Sequence, residues 1–405
     1  MTVRITKPET SINDTLNRLD QPIKDNIIYA GNRNIVHNGA MQINQRGVTT
    51  TGFGQSNKGY KMVDRWKVWE QGAPTATFVM THENSNGPPG FPYHQKFRCD
   101  VANTDGQHNI PSSVHMYMEY FTESSDLFRL CWGTPEAKVS TLSFWMKSNV
   151  SGKFVVAMNA KREDSSLDYY AAPYESSGSG EWEYITIQIP PNLLTTPRLT
   201  GTGAHGQGLC MRFILQSSST YSGGSPLRTW TSTANISTNR QEAGQEADVG
   251  RKVGNYWCIT GVQLEEGPVA TPFEHRSFAE DLAICQRYYQ VLGAGADYSE
   301  MIGGGSSHTV GTMHKWSTSN TFIFTELATP MRNSDDMTLV QIGEFAFKSM
   351  GYTSNTSTAI SLDGDSSNRM LRLNSTINNN SWTVGASGWV RANNSNSYLA
   401  VACEI

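Results

Sequence analysis

The fold is decided by the stretch Leu142-Ser-Phe-Trp-Met-Lys-Ser-Asn-Val-Ser-Gly-Lys-Phe-Val-Val-Ala-Met158. Two apolar and aromatic runs flank a short polar segment, Asn149–Gly152, which is typical of two strands joined by a turn. We therefore predict a β-hairpin here. A further run, Tyr184-Ile-Thr-Ile-Gln-Ile189, alternates apolar and polar residues until Pro190, as a half-buried strand does.

Strand patterns separated by loops rich in Gly, Ser and Pro cover residues 35–276. Met211–Leu215 and Tyr256–Leu264 are further predicted strands. The pattern favours one two-sheet β-sandwich. Thr81–Tyr93 and Ser217–Gly250 show no strand signal, so we predict long loops there, where binding surfaces often lie.

Residues 291–405 return to short strands separated by turns rich in Asn, Ser and Thr. This pattern predicts a small C-terminal β-sandwich, so that the whole chain is all-β. The predicted strands are Thr321–Leu327, Met337–Phe347, Leu371–Leu373, Trp389-Val390 and Tyr398–Ile405.

A helix signal separates the two predicted sandwiches. Ser277 and Glu280 form a capping box, which marks the start of a helix. Apolar residues then recur at helical spacing, so residues 277–290 are predicted as a linking helix whose apolar face is buried between the sandwiches. That face consists of Phe278, Leu282, Cys285 and Tyr289.

Residues 1–34 differ from the rest of the chain. Ser11 caps a predicted two-turn helix that places Ile12, Leu16 and Leu19 on one face, and Pro22 ends it. Such a short helix is not stable alone, so the segment needs a surface to dock on. It is either an attachment segment that orders against a partner, or a frayed terminus or strap over its own domain.

The composition excludes several classes of function. Charged residues make up 17% of the 405 residues and the net charge is −4, whereas nucleic-acid binders carry a clustered basic excess. No apolar window approaches the about 18 residues of a membrane span, and no signal peptide is recognisable. The six cysteines form no CxxC motif, which is typical of buried thiols in a protein made in a reducing cytoplasm.

We expect neither an enzyme nor a metal or cofactor site. None of the common catalytic, phosphate-binding or zinc-binding motifs is present. Asp363-Gly-Asp-Ser-Ser-Asn368 resembles half a calcium loop, but it lacks the Gly and the acidic residue that complete one, so a turn is expected. The clustered carboxylates are interpreted as solvated charges; a glycosidase pair is the alternative. These carboxylates are Glu163, Asp164, Asp168, Glu181 and Glu183.

Aromatic residues suggest where a ligand binds. Those within strand patterns, Trp145, Trp182 and Trp257, are expected in the core. In the predicted loop from Asp168 to Glu175, three tyrosines lie among acids and form either a sugar platform or a self-packed loop. In the C-terminal region, four aromatics offer faces for sugar rings unless they form the core of that domain. The candidates are Tyr169, Tyr170 and Tyr174, together with Trp316, Tyr352, Trp382 and Trp389.

Several motifs resemble those of bacteriophage tail-fibre and virion proteins with a jelly-roll module similar to carbohydrate-binding modules. The N-terminal segment from Ile5 to Pro22 resembles their leader, "ITKPxxxxxINxxxxLxxLDxP". The most specific match is to their closing stretch, "VQLExGxxATPFExRxxxxELxxCQRYY". The other matching stretches are Asn34-Ile-Val-His-Asn-Gly-Ala-Met-Gln-Ile-Asn-Gln-Arg-Gly47, Val63-Asp-Arg-Trp66, Leu142–Ser148, Ile259–Arg276, Glu280–Tyr289 and Tyr398-Leu-Ala-Val-Ala-Cys-Glu-Ile405.

The resemblance implies a virion structural protein, assembled as a homo-oligomer, with the trimer as the expected form. We expect a short tail fibre or fibre tip, attached to other virion proteins through residues 1–34, that binds host surface glycan. A capsid-attached fibre, knob or decoration protein with a mechanical role is the alternative, and a glycan depolymerase is a third. Residues 291–397 match no motif of the family, which favours the C-terminal domain, residues 291–405, as the receptor-binding tip. The location implied is the virion exterior.

Deleting residues 1–30 is expected to leave a folded oligomer that no longer enters virus particles, because the docking segment is gone. Particle incorporation after complementation in infected cells measures this directly. Normal incorporation of the truncated protein would show that the attachment hypothesis is wrong.

Overall fold

The computed structural model describes residues 32–47, 49–54, 57–72, 75–103, 114–162, 164–194, 206–232, 241–294, 309–349, 355–357, 359–377, 382–394 and 397–405. Nearly all regular structure in these ranges is antiparallel β-strand, so the predicted all-β class is confirmed. The strands are β1 Thr49–Phe53, β2 Gly59–Tyr60, β3 Trp66–Gln71, β4 Thr77–Glu83, β5 His94–Val101, β6 His115–Glu123, β7 Ser140–Ser148, β8 Ser151–Lys161, β9 Leu167–Ser177, β10 Trp182–Ile189, β11 Gln207–Ser217, β12 Thr231–Ser232, β13 Tyr256–Glu266, β14 Tyr289–Ala294, β15 Thr309–Lys315, β16 Asn320–Glu326, β17 Thr338–Ile342, β18 Phe345–Ser349, β19 Asn355–Ser357, β20 Ile360–Leu362, β21 Met370–Thr376, β22 Ser387–Ala392 and β23 Tyr398–Ala402. The helices are α1 Ser219–Ser222 and α2 Phe278–Gln286, with 3-10 turns at Ser124–Leu130 and Val249–Arg251.

The N-terminal sandwich consists of two sheets that enclose one apolar core. Its six-stranded sheet has the order β1-β4-β5-β13-β7-β10, and its seven-stranded sheet has the order β12-β9-β8-β11-β6-β3-β2. Alternate residues of both sheets point inward, including Phe97, Phe144, Phe213 and Trp257, each without exposed surface. This two-layer packing follows from the period-two pattern of the strands.

The hairpin predicted at residues 142–158 is wrong, although both of its strands exist. β7 pairs with β10 and β13, whereas β8 pairs with β9 and β11 in the opposite sheet. The polar groups of the connection bond to β13 and do not close a hairpin turn: Asn149 Oδ1 accepts from the Tyr256 N–H at 2.8 Å, and Ser148 Oγ donates to the Tyr256 carbonyl at 2.7 Å. The chain therefore crosses the core here.

The C-terminal sandwich is smaller and has its own core. A three-stranded sheet, β14-β23-β17, packs against a seven-stranded sheet, β19-β18-β22-β15-β16-β21-β20. Residues such as Ile323, Leu371, Val390 and Leu399 fill the space between them. The single strand predicted at Met337–Phe347 is two strands, because Gly343 adopts a positive φ of 70° and turns the chain.

The linking helix begins as predicted but buries a different face. The capping box of Ser277 and Glu280 is present, yet α2 ends at Gln286, and Tyr289 belongs to β14. Cys285 is buried, Leu282 is half-buried and Phe278 is 58% exposed, so the predicted apolar face is only partly correct. The buried side also carries Asp281, which accepts from Gln42 Nε2 at 2.6 Å. The helix therefore packs through polar contacts on the opening segment of the N-terminal sandwich.

A buried charge cluster, which we call the arginine clamp, joins the two sandwiches. It consists of Arg46, Asp64, Arg65 and Glu404. Arg46 pairs with both Asp64 and Glu404, and Arg65 Nη1 lies 3.3 Å from the second oxygen of Glu404. Arg65 is fully buried. Because buried charges are costly unless paired, Glu404 near the chain end serves as counter-ion for two arginines of the first sandwich.

Aromatic rings from the joining segment complete the clamp. The Arg65 guanidinium lies 3.4 Å from the ring centre of Tyr288, and that of Arg46 lies 3.7 Å from the ring centre of Tyr289. The Tyr289 and Tyr398 hydroxyls are 2.7 Å apart, which ties β14 to β23. Such cation–π contacts gain strength when they are desolvated, as they are here.

None of the helices in the described ranges is long and apolar enough to cross a membrane. The docking residues predicted in the N-terminal segment, Ile12, Leu16 and Leu19, lie outside the described residues.

Glu404→Gln is expected to lower the free energy of unfolding by about 3 kcal/mol, because it leaves Arg65 buried without a countercharge. Chemical denaturation measures the change. Glu326→Gln, which changes an exposed glutamate of the same sandwich, is the control and should change stability by about 0.5 kcal/mol or less. Equal stability of the two variants would contradict the role given to Glu404.

Candidate functional site

The outer face of the C-terminal seven-stranded sheet carries an exposed group of aromatic rings, which we call the aromatic face. It consists of Trp316, Phe322, Phe324 and Trp389. Along β16, Phe322 and Phe324 alternate with core residues such as Ile323, so strand geometry forces them outward. Trp316, Phe324 and Trp389 are each 40–46% exposed. A soluble protein exposes few large aromatics in one place without a use for them.

Two of these rings are preorganised. Trp316 stacks on Phe322 with ring centres 5.2 Å apart and an angle of 11° between the planes. Trp389 lies two strands away from Phe324. It is opposite Thr312 on β15, and Thr312 is opposite Phe324 on β16. Since strands are about 4.8 Å apart, Trp389 and Phe324 are separated by about 10 Å. The face is thus long enough to contact more than one ring of an extended ligand.

Polar side chains border the aromatic rings. The Arg372 guanidinium lies 4.7 Å from the ring centre of Phe322. Asn374 is opposite Phe322, and exposed His314 is opposite Phe322 on the other side. The guanidinium donates hydrogen bonds, and the amide and imidazole groups both donate and accept them, so together they complement a ligand that is rich in hydroxyls.

The segment that resembles half a calcium loop, Asp363–Asn368, binds the side chain of Arg372. Arg372 Nε donates to Asp363 Oδ1 at 2.8 Å, and its Nη2 also pairs with Asp365. Hydrogen bonds from the Asp365 N–H and from Arg372 lower the pKa of Asp363. The predicted turn is confirmed, and the Arg372 guanidinium lies beside its two carboxylates. Among the described residues, no group of His, Cys, Asp and Glu is arranged to hold a metal ion.

A shallow depression of about 310 Å³ lies at the edge of the same sheet. Asn374 belongs both to its wall and to the outer row of the sheet beside Phe322. Most of the other lining groups are hydroxyls and amides, so the depression extends the face with hydrogen-bonding groups. It is lined by Asn320, Ala359, Ile360, Ser361, Asn374, Ser375 and Thr376.

The C-terminal candidates from the sequence divide into two environments. Trp316 and Trp389 lie on the aromatic face. Trp382 is 3% exposed and belongs to the core, so its prediction as a ligand-binding residue is wrong. Its carbonyl accepts from the buried Lys315 Nζ at 2.9 Å. Tyr352 lies outside the described residues.

The tyrosine-rich run predicted as a loop is strand β9. Tyr170 and Tyr174 point into the core of the N-terminal sandwich, and Tyr169 packs against Leu227 on the opposite side of the sheet. All three are at most 8% exposed, so they offer no open platform. Pro173 lies where β9 pairs with β8 alone, a position that tolerates proline.

Three of the five carboxylates weighed as a glycosidase pair are held by local partners. A fourth, Glu181, is exposed. Asp168 is buried, pairs with Arg162 and accepts from Asn192 Nδ2 at 3.0 Å. Asp164 accepts from the Ser166 hydroxyl at 2.6 Å, and Glu183 accepts from the Ser177 hydroxyl at 3.0 Å. These contacts stabilise turns and strand ends, whereas Glu163 lies outside the described residues.

Two strand tryptophans expected in the core lie on the outer face of the six-stranded sheet. Trp145 and Trp182 are half-buried there, and the ring centre of Trp145 lies 5.0 Å from that of exposed Tyr184. Trp257 is fully buried, as predicted.

Sequence reasoning missed Phe322, Phe324 and Arg372. The signal was present in β16, where Phe-Ile-Phe reads as a continuous apolar run although its strand period places the two phenylalanines on one face. Arg372 was not identifiable, because its contact with Phe322 depends on the pairing of β16 with β21.

The fold defines a β-protein of two antiparallel sandwiches. No protein-family profile and no curated protein sequence matches the chain. Among solved structures, similarity is found to the enzymatically active domain of tailspike protein 4 of bacteriophage CBA120, at 10% identity and a TM-score of 0.30, over 58% of this chain and 22% of that one. The chain therefore spans about a fifth of that structure.

Two further similar structures are carbohydrate-binding modules. The family 11 module of a cellulosomal cellulase from Clostridium thermocellum matches at 12% identity and a TM-score of 0.26, over 54% of this chain and 97% of the module. A tandem pair of family 22 modules from Paenibacillus barcinonensis matches at 9% identity and a TM-score of 0.24, over 89% of this chain and 98% of the pair. Because these TM-scores lie well below 0.5, the similarities do not assign a family or a function.

Trp382→Ala is expected to lower the free energy of unfolding by about 3–5 kcal/mol, because it opens a cavity in the core. Trp316→Ala and Trp389→Ala should each cost no more than about 1 kcal/mol, since both side chains are exposed. Denaturant titration of the three variants tests this division. A large loss of stability in either exposed variant would place that tryptophan in a structural role.

Proposed function

We propose that the chain is a virion surface protein of a bacteriophage that binds host surface glycan through the aromatic face. The observation that carries the proposal is the stacked pair Trp316–Phe322 beside exposed Phe324, on a sheet bordered by hydrogen-bonding side chains. A sugar ring offers one apolar face to an aromatic ring and a rim of hydroxyls to polar groups. The aromatic face supplies both kinds of contact on one rigid surface.

Rigidity supports binding to this surface. The aromatic side chains stand on paired strands, and Arg372 is held beside Phe322 by Asp363 and Asp365. Binding then costs little conformational entropy, because the contact groups are already ordered. The proposed role is binding without bond cleavage, and the local partners of Asp168 and Glu183 support this.

The virion location is proposed from the motifs that resemble phage fibre proteins. In this proposal residues 1–34 attach the chain to the tail or capsid, and the protein assembles as a homotrimer. The aromatic face lies in the C-terminal sandwich, which contains the region that matches no motif of that family. If the protein is part of the tail, the aromatic face is a receptor-binding tip. If it is attached to the capsid, the face forms a weak adhesive contact with the host.

The full-length Trp316→Ala variant is expected to bind host cells and purified host surface polysaccharide about tenfold or more weakly than the wild type, because loss of a stacking ring removes about 1.4 kcal/mol or more. Cell adsorption and surface plasmon resonance measure the change. Tyr184→Ala, which removes an exposed aromatic from the N-terminal sandwich, is the matched control and should bind like the wild type.

Unchanged binding of Trp316→Ala would contradict the proposed face. Loss of binding in Tyr184→Ala alone would move the site to the six-stranded sheet of the N-terminal sandwich.

A further inference from the structure

The half of the aromatic face around Trp389 carries two positive charges. Lys348 of β18 is directly opposite Trp389 of β22, so their side chains lie on the same side of the sheet. Arg391 lies two residues beyond Trp389 on the same strand and therefore on the same side. Both cations are half-buried beside the exposed tryptophan.

Neither cation has a carboxylate partner among the described residues. The residues opposite Arg391 are Ala346 and Thr309, which carry no charge, and Arg391 Nε is buried without a hydrogen-bond partner. The carboxylate of Glu344, two residues before Ala346 in the chain, accepts from Asn393 Nδ2 at 3.1 Å. The two cations thus keep hydrogen-bonding capacity that the fold does not use.

The other half of the face has no excess positive charge. Arg372 pairs with Asp363 and Asp365 at once, so its positive charge is more than offset by the two carboxylates. The face therefore has a half without excess positive charge at Phe322 and a positive half at Trp389. Hydrogen bonds between a cation and an anion are about twice as strong as neutral ones, so an anionic group gains most beside Lys348 and Arg391.

We propose that the Trp389 half binds an acidic sugar unit, one that bears a carboxylate or phosphate. The ring of this unit stacks on Trp389, its anionic group pairs with Lys348 and Arg391, and a neighbouring unit lies over Phe324 and Phe322. The inference rests on the proposed glycan-binding function and specifies the class of glycan.

The test is an array of bacterial surface glycans in which each acidic glycan stands beside the form whose carboxyls have been reduced or whose phosphates have been removed. Full-length protein is expected to bind the acidic forms about tenfold more tightly, with a preference that weakens at high salt. The two kinds of neutralised glycan show which anionic group is recognised.

The double variant Lys348→Gln/Arg391→Gln is expected to bind acidic and neutralised forms alike, at the affinity that the wild type has for the neutralised form. The control Lys252→Gln/Arg369→Gln changes the same two residue types at exposed positions and should keep the preference. Equal binding of both glycan forms by the wild type, or an equal loss in the control, would overturn the inference while leaving glycan binding intact. Binding of no glycan at all would contradict the proposed function itself.

Discussion

The arginine clamp is the interaction on which the two-sandwich structure depends. Arg46 and Arg65 come from the first sandwich, and their shared counter-ion, Glu404, is the penultimate residue of the chain. Burial raises the pKa of Asp64 to about 6, although Arg46 and a hydrogen bond from Gln45 act to lower it. The cluster is therefore stable only when every partner is in place, and the first sandwich needs Glu404, which follows the last strand of the second, to balance its charges.

Four of the stretches that resemble phage fibre proteins meet at this clamp. Gln45, Arg46 and Asp64 come from two of the quoted stretches, and Tyr289 from a third. The terminal stretch supplies Glu404. These stretches thus supply residues that join the two sandwiches, and none of them contributes a residue to the aromatic face. One set of residues assembles the molecule, while a separate set on the outer sheet is available for a ligand.

Local patterns predict several of the strands correctly, although not β9, which they present as a loop. Pairing between distant segments cannot be predicted from them. The alternation at Tyr184–Ile189 and the capping box at Ser277 each predicted their element correctly, because the signal lies within a few residues. The supposed hairpin failed because β7 finds its neighbours in β10 and β13, far along the chain. The same limit applies to the site: exposed Trp316 and buried Trp382 look alike in sequence, since only the tertiary packing separates them.

Hydrogen–deuterium exchange of the full-length protein, with and without purified host surface polysaccharide, tests most directly whether the outer sheet of the C-terminal sandwich is the binding surface. Protection is expected in β15, β16, β21 and β22, because these strands carry or border the aromatic face. Exchange in β8 and β9 of the first sandwich should stay unchanged. Protection confined to the first sandwich, with none in β16 or β22, would contradict this account.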